Sequence, residues 1–202
     1  MDYLFSDARL SIRENMFLQY SVPVLAQMTK THDYRHFVLY SDVLPEKHRK
    51  TLLDACREYP FLVPVEWSQP VSGPGISEVR GAMEEILRSR YSPADGLQPV
   101  AWFRLDDDDV LAADYLDRLE PYRRLDFVDK AVSFGLGLTA FKTNRDLVNL
   151  REYYYPKSAQ GMAFIAMYDP AEATLRAPAP GPHTTIDRSM PTIIDSRNHM
   201  FF

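Results

Sequence analysis

Short apolar runs alternate with helical patterns over residues 9–103, and no other feature of this sequence constrains the fold as strongly. The apolar runs predict strands over residues 36–40, 61–67 and 99–103. Helical periodicity predicts helices over residues 9–28, 45–59 and 76–91, the first of them kinked or split at Pro23. Strands that alternate with helices are typical of α/β proteins with a largely parallel sheet. We therefore predict an α/β sandwich with these three strands at the centre of its sheet.

The remainder of the chain carries shorter patterns. They predict edge or antiparallel strands at residues 127–128, 131–134, 138–141 and 162–167, and a helix over 145–154 capped by Asn144. The Ala/Pro-rich residues 171–182 are not expected to hold regular structure. We predict a single domain over residues 1–202, because no internal repeat is found and the length suits one domain. The apolar tail Met200-Phe201-Phe202 indicates truncation at one end or both.

Composition argues against several classes of protein. The chain has 23 Lys and Arg against 28 Asp and Glu, which disfavours a nucleic-acid partner because phosphate backbones demand a basic face. No apolar run approaches the roughly 20 residues that a transmembrane helix needs. The single cysteine, Cys56, allows neither a disulfide framework nor a thiolate metal site. We therefore predict a reducing, cytoplasmic setting.

Four consecutive aspartates, Asp106 to Asp109, follow directly after the apolar run that ends at Phe103. Adjacent carboxylates repel one another, so the run costs stability unless cations or a helix N-terminus offset it. In parallel α/β sheets, ligands bind beyond the carboxyl ends of the strands. Oxygen ligands at such a place suit Mg²⁺ or Mn²⁺ bridging to substrate phosphates. The alternative is a solvated acidic loop that caps a helix predicted over residues 110–122, but the position at a strand end favours the metal–phosphate site.

The order of these elements resembles that of GT-A-type glycosyltransferases. Two segments, QYSVPVLAQMTKTHDYRHFVLYSDVLPE and AWFRLDDDDVLAADYLDRL, look like the bacterial putative rhamnosyltransferase family within that superfamily. The resemblance covers roughly residues 5–122 well and the remainder loosely. It implies a GT-A-like three-layer sandwich. It also implies transfer of a sugar from a nucleoside diphosphate-sugar to a glycan or other hydroxyl acceptor, and the name of the family suggests rhamnose as that sugar. It also implies Mg²⁺ or Mn²⁺ as the cofactor.

The resemblance assigns roles within the acidic run. Asp106 and Asp108 match the Asp-x-Asp element that holds the divalent ion against the diphosphate of the donor. Asp109 is expected beside the metal, and Asp107 is expected to contact the donor. Arg104, which precedes the run, is close enough in sequence to neutralise it.

Three further residues match positions of the same family. Asp42 corresponds to an acidic position that contacts the base or ribose, although capping the turn before Pro45 is an equal alternative. Arg80 corresponds to an arginine near the nucleotide, with an i,i+4 pair to Glu84 as the structural alternative. His183 resembles a late histidine that serves as a further metal ligand, whereas a lone histidine in a Pro-rich loop is more often solvated.

The catalytic base has to come from downstream of the acidic run. An inverting transferase needs a carboxylate that takes the proton of the acceptor hydroxyl. Asp169, Asp187 and Asp195 are the candidates, and we predict Asp187 and Asp195 as the catalytic residues.

Two rival functions are open at this point. A nucleotidyltransferase also places acids at strand ends, but it usually begins with a Gly-rich, basic phosphate loop, and residues 6–15 contain no glycine. The other rival is a scaffold domain whose aspartates hold Ca²⁺ or nothing.

Two other motifs are set aside. The stretch Gly135-Leu136-Gly137-Leu138-Thr139-Ala140 fits the loose dinucleotide pattern G-x-G-x-x-A, yet it lies inside an apolar β-like run with no helix opening at once. We predict that these glycines permit a close backbone approach or a bend. The adjacent Tyr153, Tyr154 and Tyr155 are interpreted as partly buried packing residues rather than a platform for an acceptor sugar.

Overall fold

A computed structural model describes residues 5–68, 76–143, 146–177 and 182–202 of the chain. Its α-helices are α1 (Asp7–Met16), α2 (Val22–Met28), α3 (Glu46–Glu58), α4 (Ile76–Arg90) and α5 (Tyr115–Leu119). Its strands are β1 (His36–Ser41), β2 (Leu62–Trp67), β3 (Gln98–Phe103), β4 (Ala131–Phe134), β5 (Leu136–Lys142), β6 (Leu147–Tyr154), β7 (Ala163–Asp169), β8 (Thr174–Arg176) and β9 (Thr192–Asp195). The molecule is a mixed α/β protein.

The first part of the chain folds as its periodicity predicts. The three predicted strands are β1, β2 and β3, and the helices predicted over residues 45–59 and 76–91 are α3 and α4. The helix predicted over residues 9–28 is split into α1 and α2 by a π-helical turn, Phe17–Ser21, just before Pro23. Because proline has no backbone N–H, the chain cannot hold a regular helical hydrogen-bond ladder through this point.

The strands form separate sheets instead of one largely parallel sheet. Strands β1 and β2 are parallel, with His36 opposite Leu62. A second, mixed sheet has the order β3-β7-β4-β9, in which β3 is antiparallel to β7 and β4 is parallel to β9. The prediction of a largely parallel sheet with β3 at its centre was therefore wrong in part, since β3 lies at the end of this order. The cause is pairing at long range, because β7 hydrogen-bonds to β3 and no described strand joins β3 to β1.

The helix predicted over residues 110–122 is mostly absent. Only α5 and a 3₁₀ turn (Glu120–Tyr122) form there, and Leu111 forms an isolated antiparallel β-bridge with Phe201. Val110 and Phe202 exchange two backbone hydrogen bonds of 2.8 and 2.7 Å, and Ala112 N–H donates to the Met200 carbonyl. The backbone groups that a helix would use are thus bound to the C-terminal residues. The acidic run does not cap a helix here.

A helix was predicted over residues 145–154, but Leu147–Tyr154 form a strand instead. Strand β6 pairs with β5 in an antiparallel hairpin whose register shifts between Thr139 and Phe141. A cross-strand partner supplied by β5, together with the Val and Tyr content of β6, overrides the helical pattern. The predicted cap, Asn144, lies outside the described residues.

The remaining predictions of secondary structure were right in some places and wrong in others. Residues 127–128 were predicted as a strand, but a 3₁₀ turn (Leu125–Phe127) forms there, with its Phe127 N–H bonded to the Arg124 carbonyl. The strands predicted at 131–134, 138–141 and 162–167 are confirmed as β4, β5 and β7. The stretch 171–182 was expected to be irregular, yet its described part contains β8, which β7 recruits as an antiparallel neighbour.

The main core lies between α2, the end of β3 and the C-terminal residues. Leu25, Tyr115, Val132 and Met200 are at most 1% exposed and belong to one hydrophobic cluster. This packing fixes the position of β3 relative to the first helices, and so the position of the aspartates that follow it. No helix in the described part of the chain is long and apolar enough to cross a bilayer.

Candidate active site

A cavity of about 1600 Å³ separates β1 from β3. It is lined by every residue of β1 and by residues 99–103 of β3. Successive residues of a strand point to opposite faces, so a cavity that touches all of them lies along the strand's edge. The other edge of each strand is occupied, by β2 and β7 respectively. The cavity exceeds the roughly 300–1,000 Å³ of ordinary small-molecule sites, so it has room for an extended ligand.

The acidic turn, Asp106 to Asp109, lies at one border of this cavity. Asp106 and Asp107 line it, and the Asp109 N–H closes the turn by donating to the Asp106 carbonyl at 3.1 Å. The hydroxyl of Ser21, from the π-helical turn, donates to the Asp109 carbonyl at 2.7 Å. The turn is therefore held in place through its backbone, which leaves the carboxylates available for contacts with ligands or cations.

Arg13 of α1 binds two of these carboxylates at once. Its Nε donates to Asp107 Oδ2 at 2.8 Å, and its Nη2 donates to the second oxygen of the same carboxylate. Its Nη1 and Nη2 donate to the two oxygens of Asp108, each at 3.1 Å. The hydrogen bonds to Asp107 raise the pKa of Arg13 above its usual range. All three guanidinium nitrogens are engaged, and this fork-to-fork geometry is the strongest form of arginine–carboxylate pairing.

The remaining two aspartates of the turn have different surroundings. Arg104 Nε donates to Asp106 Oδ1 at 3.0 Å, and this pair is exposed to solvent. Burial raises the pKa of Asp109 to about 6, and the charges of Asp106 and Asp108 act in the same direction. Asp109 therefore takes up a proton closer to neutral pH than an ordinary aspartic acid. The charges of Arg13 and Arg104, together with the raised pKa of Asp109, offset the repulsion within the turn. From the sequence alone, we expected Arg104 or a helix N-terminus to do so.

His183 lines the same cavity as Asp106 and Asp107. Its Nδ1 lies 2.7 Å from the backbone carbonyl oxygen of Lys157, so this nitrogen carries the proton and donates it. Nε2 is then the nitrogen with a lone pair, which is the arrangement that metal-binding histidines use. His183 and the acidic turn thus border one cavity, although they are far apart in sequence.

The side chains of the acidic turn and His183 are of types that bind divalent ions, but they are not arranged as a metal site. Carboxylates and a backbone-oriented imidazole suit Mg²⁺ or Mn²⁺. Across the described ranges, however, no three acidic, histidine or cysteine side chains are grouped closely enough to hold a metal ion. The carboxylates of Asp107 and Asp108 face Arg13 instead. An ion bound through Asp108 would therefore share that carboxylate with Arg13.

The two predicted donor contacts outside the turn are placed differently. Asp42 follows β1 but is exposed and does not line the cavity, and its carboxylate accepts a long 3.4 Å bond from the Ser41 hydroxyl. Arg80 does line the cavity, but it donates to the Leu175 carbonyl and pairs with Glu84 at 3.4 Å. Glu84 in turn accepts the Leu175 N–H, so this pair fastens α4 to β8.

The predicted catalytic bases are both held by cations. Asp195 is 8% exposed, and hydrogen bonds from Arg197, with a further one from Tyr122, lower its pKa to about 2. Asp187 forms a 3.0 Å pair with Lys157, which lowers its pKa. A carboxylate with a lowered pKa is a weak general base. Their assignment as bases stays a prediction, and these ion pairs weigh against it.

Asp169, the third candidate base, has a local role. Its carboxylate accepts the N–H of Ala171 at 2.9 Å and so caps the turn that follows β7. It does not line the cavity. An aspartate in this position is a common turn-forming residue, and nothing in its contacts links it to the acidic turn.

One family of known proteins matches the sequence. The family model described as "Putative rhamnosyl transferase" aligns with residues 1–202, the whole length of the chain. The chain belongs to this family. The match confirms the resemblance noted in the sequence, and its description points to glycosyl transfer as the reaction class. No curated protein and no solved structure matches the chain.

For this member of the rhamnosyl transferase family, sequence reasoning missed Arg13, Ser21 and Gln160. Gln160 hydrogen-bonds to the Asp109 carboxyl, and Arg13 lies 94 positions from Asp107. The repulsion between four carboxylates does indicate that a cation must be close. The repulsion does not indicate which arginine provides this cation, because the contact depends on how α1 packs beside the end of β3.

Proposed function

We propose that this chain is a glycosyltransferase that moves a sugar from a nucleoside diphosphate-sugar to a hydroxyl group of a glycan or small acceptor. Rhamnose is the first candidate sugar because the chain belongs to the rhamnosyl transferase family. We further propose a GT-A-like arrangement of the α/β layers, Mg²⁺ or Mn²⁺ as the cofactor, and a cytoplasmic location. The acidic turn at the end of β3 is the observation that supports the reaction most strongly.

The surroundings of the turn suit the diphosphate of such a donor. Arg13 and Arg104 contact the acidic turn, and His183 lines the same cavity as Asp106 and Asp107. Guanidinium groups bind phosphate oxygens through paired N–H donors. The apolar part of the cavity, between the edges of the two strands, is large enough for the nucleoside. The site thus combines a polar border for the diphosphate with an apolar cleft for the remainder of the donor.

We assign individual roles on this basis. The divalent ion is assigned to Asp106, Asp108, Asp109 and His183, and the donor to Asp42, Arg80 and Asp107. When bound, the ion supplies positive charge that offsets the negative charge developing on the departing diphosphate. The Lys157 carbonyl holds His183 in the tautomer that this role needs.

The transfer itself is a displacement at the anomeric carbon. The acceptor oxygen forms the new bond to this carbon as the bond to the diphosphate oxygen breaks, and the electron pair leaves with the nucleoside diphosphate. The proton of the acceptor hydroxyl passes to a base, for which Asp187 and Asp195 are the proposed residues. Because Lys157 and Arg197 hold these two carboxylates, either one has to leave its ion pair before it can act.

Isothermal titration with Mn²⁺ and a panel of nucleotides tests the proposal. A glycosyltransferase is expected to bind UDP-, dTDP- or GDP-sugars in the presence of Mn²⁺ and to release the nucleoside diphosphate when an acceptor is added. Preference for nucleoside triphosphates would instead indicate a nucleotidyltransferase. Binding of neither class of nucleotide would indicate a scaffold domain and contradict the proposal.

A further inference from the structure

Tyr34 and His36 form a hydrogen-bonded pair to which the proposed mechanism gives no role. The Tyr34 hydroxyl lies 2.7 Å from Nδ1 of His36, and both residues line the cavity between β1 and β3. The Tyr34 ring stacks on the ring of Phe103, with 5.7 Å between the centroids and 3° between the planes. Phe103 ends β3, three positions before Asp106. The pair therefore borders the cavity beside the strand end that leads into the acidic turn.

Burial determines the protonation of both side chains. It lowers the pKa of His36 to about 4 and raises the pKa of Tyr34 above its usual range, so at neutral pH the imidazole is uncharged and the phenol keeps its proton. A neutral imidazole has one nitrogen that donates and one that accepts. Within the described ranges the Tyr34 hydroxyl has no acceptor other than Nδ1 of His36. Because the hydroxyl donates to Nδ1, the ring proton of His36 is on Nε2.

This Nε2–H group has no partner of its own. No residue in the part of the chain that the structure describes accepts a hydrogen bond from it, and protein atoms do not enclose it fully. Its surroundings in the cavity are largely apolar, since the ring of Phe17 lies 5.8 Å from that of His36 and Val38 and Phe103 also line the cavity. One oriented donor among apolar and aromatic side chains is typical of a site for a flat, uncharged group.

We propose that the Tyr34–His36 pair recognises the base of the donor nucleotide, with Nε2–H of His36 donating to a carbonyl oxygen of that base. Tyr34 is a positioning residue, because its hydroxyl fixes the tautomer that keeps the proton on Nε2. Thymine and guanine present such carbonyl acceptors, as does uracil, and their planar faces suit an aromatic environment. The ligand in this inference rests on the proposed function, whereas the tautomer of His36 does not.

The charges at the cavity favour the base over the diphosphate as the ligand of this pair. A neutral imidazole and a neutral phenol offer no positive charge to an anionic group. Arg13 and Arg104, which contact the acidic turn, offer such charge. The uncharged end of the nucleotide is therefore matched to the uncharged pair, and its anionic end to the arginines.

Two variants and a control test the pair. His36→Phe keeps an aromatic ring but removes Nε2–H, and Tyr34→Phe removes only the hydroxyl. His199→Phe is the matched control, because His199 pairs with Glu152 at 2.8 Å and does not line the cavity. Isothermal titration with Mn²⁺ present measures the affinity for UDP, dTDP and GDP, and circular dichroism monitors folding. Long-range ¹H–¹⁵N spectra of protein labelled with ¹⁵N-histidine report the tautomers, and the His36→Phe spectrum assigns the His36 signals.

We expect His36→Phe to bind the preferred nucleotide roughly tenfold more weakly than the wild-type protein, because a base carbonyl loses its donor. Tyr34→Phe should lie between the two, since its imidazole is divided between two tautomers, and His199→Phe should be unchanged. In the wild-type protein, the His36 signals should be those of the Nε2–H form. They should shift when the nucleotide is added and stay in place with inorganic pyrophosphate, which has no base.

Unchanged nucleotide affinity of a folded His36→Phe overturns the inference, and so does an equal shift of the His36 signals with pyrophosphate. If His36→Phe does not fold, Tyr34→Phe and the wild-type spectra decide, with the His36 signals assigned from the Tyr34→Phe spectrum. A proton on Nδ1, or no response of His36 to a bound nucleotide, then contradicts the inference while the proposed function stands. If none of the nucleotides binds the wild-type protein, the proposed function is wrong and the inference fails with it.

Discussion

The hydroxyl of Ser21 and the backbone carbonyl of Asp109 are joined by a 2.7 Å hydrogen bond. Ser21 is 2% exposed and ends the π-helical turn between α1 and α2, so this bond ties the acidic turn to the helix pair that carries Arg13. The π-helical turn thus places the buried hydroxyl of Ser21 against the carbonyl of Asp109. That carbonyl lies after the end of β3 and outside any helix.

Ser21→Ala is expected to lower the free energy of unfolding by about 1–2 kcal/mol, since it leaves a partly buried carbonyl without its donor. Urea unfolding measures the difference. Ser89→Ala is the control, because Ser89 donates to the Ile86 carbonyl on an exposed face and its loss should cost less than about 0.5 kcal/mol. Equal costs for the two variants would show that the Ser21 bond has no special role in holding the turn.

Local periodicity predicted the elements whose pattern is long and regular. Strands β1 to β3 and helices α3 and α4 follow directly from apolar spacing and from the proline before Glu46. The hairpin of β5 and β6 could not be predicted in this way, because β6 is stabilised by its cross-strand neighbour and every one of its side chains is exposed. Tyr153 packs against Tyr155 and Phe201, as expected of a partly buried residue, whereas Tyr154 is 62% exposed.

The acidic residues of the candidate site could be predicted from the sequence, but the arginine that pairs with them could not. Asp106 to Asp109 follow a strand, which is visible in the sequence, and their mutual repulsion demands a compensating charge. The partner that satisfies it, Arg13, lies on a helix that meets the end of β3 only after folding. The order of strands in the sheet could not be predicted for the same reason, since pairing of β3 with β7 joins residues that are 60 to 70 positions apart.

The glycines set aside as a false dinucleotide motif give a direct test of packing. A Cβ on Gly137 would clash with the ring of Phe201, which is 3% exposed, so the group that approaches this glycine closely is a side-chain ring and not the predicted backbone. Gly137→Ala should lower the free energy of unfolding by about 1–3 kcal/mol, because Phe201 has to move out of the core.

Gly81 provides the matched control for this variant. It lies within α4, and a Cβ there would meet no atom within 4 Å. Gly81→Ala should therefore raise the free energy of unfolding by about 0.5–1 kcal/mol through helix propensity. Thermal melts of the two variants should shift in opposite directions, and a stabilising Gly137→Ala would contradict the packing at Phe201.

Asp195 predicts how stability depends on pH. Its hydrogen bonds from Arg197 and Tyr122 lower its pKa to about 2, compared with roughly 3.9 in an unfolded chain. Because the folded-state pKa is the lower one, the contribution of Asp195 is present above about pH 4 and is lost as the pH falls towards 2. The contribution is about 2 kcal/mol.

Urea unfolding of the wild-type protein and Asp195→Asn between pH 2 and 7 measures this contribution. The two stability curves should be separated at neutral pH and should converge in acid, since protonation removes the same charge that the substitution removes. A separation that does not change with pH would mean that the carboxylate charge is irrelevant to the fold.

Asp108→Asn tests the assignment of the metal and separates it from stability. The variant keeps the size of the side chain but removes a charge that a divalent ion needs, so Mn²⁺-assisted binding of UDP- and dTDP-sugars should be lost. Its melting temperature should change little or rise, because the lost pair with Arg13 is half exposed and the repulsion within the turn is relieved. Asp114→Asn, which removes a similarly exposed carboxylate paired with Arg118, should leave nucleotide binding unchanged. If Asp108→Asn binds these nucleotides as tightly as the wild-type protein, the metal does not bind at Asp108, and that carboxylate serves only as a partner of Arg13.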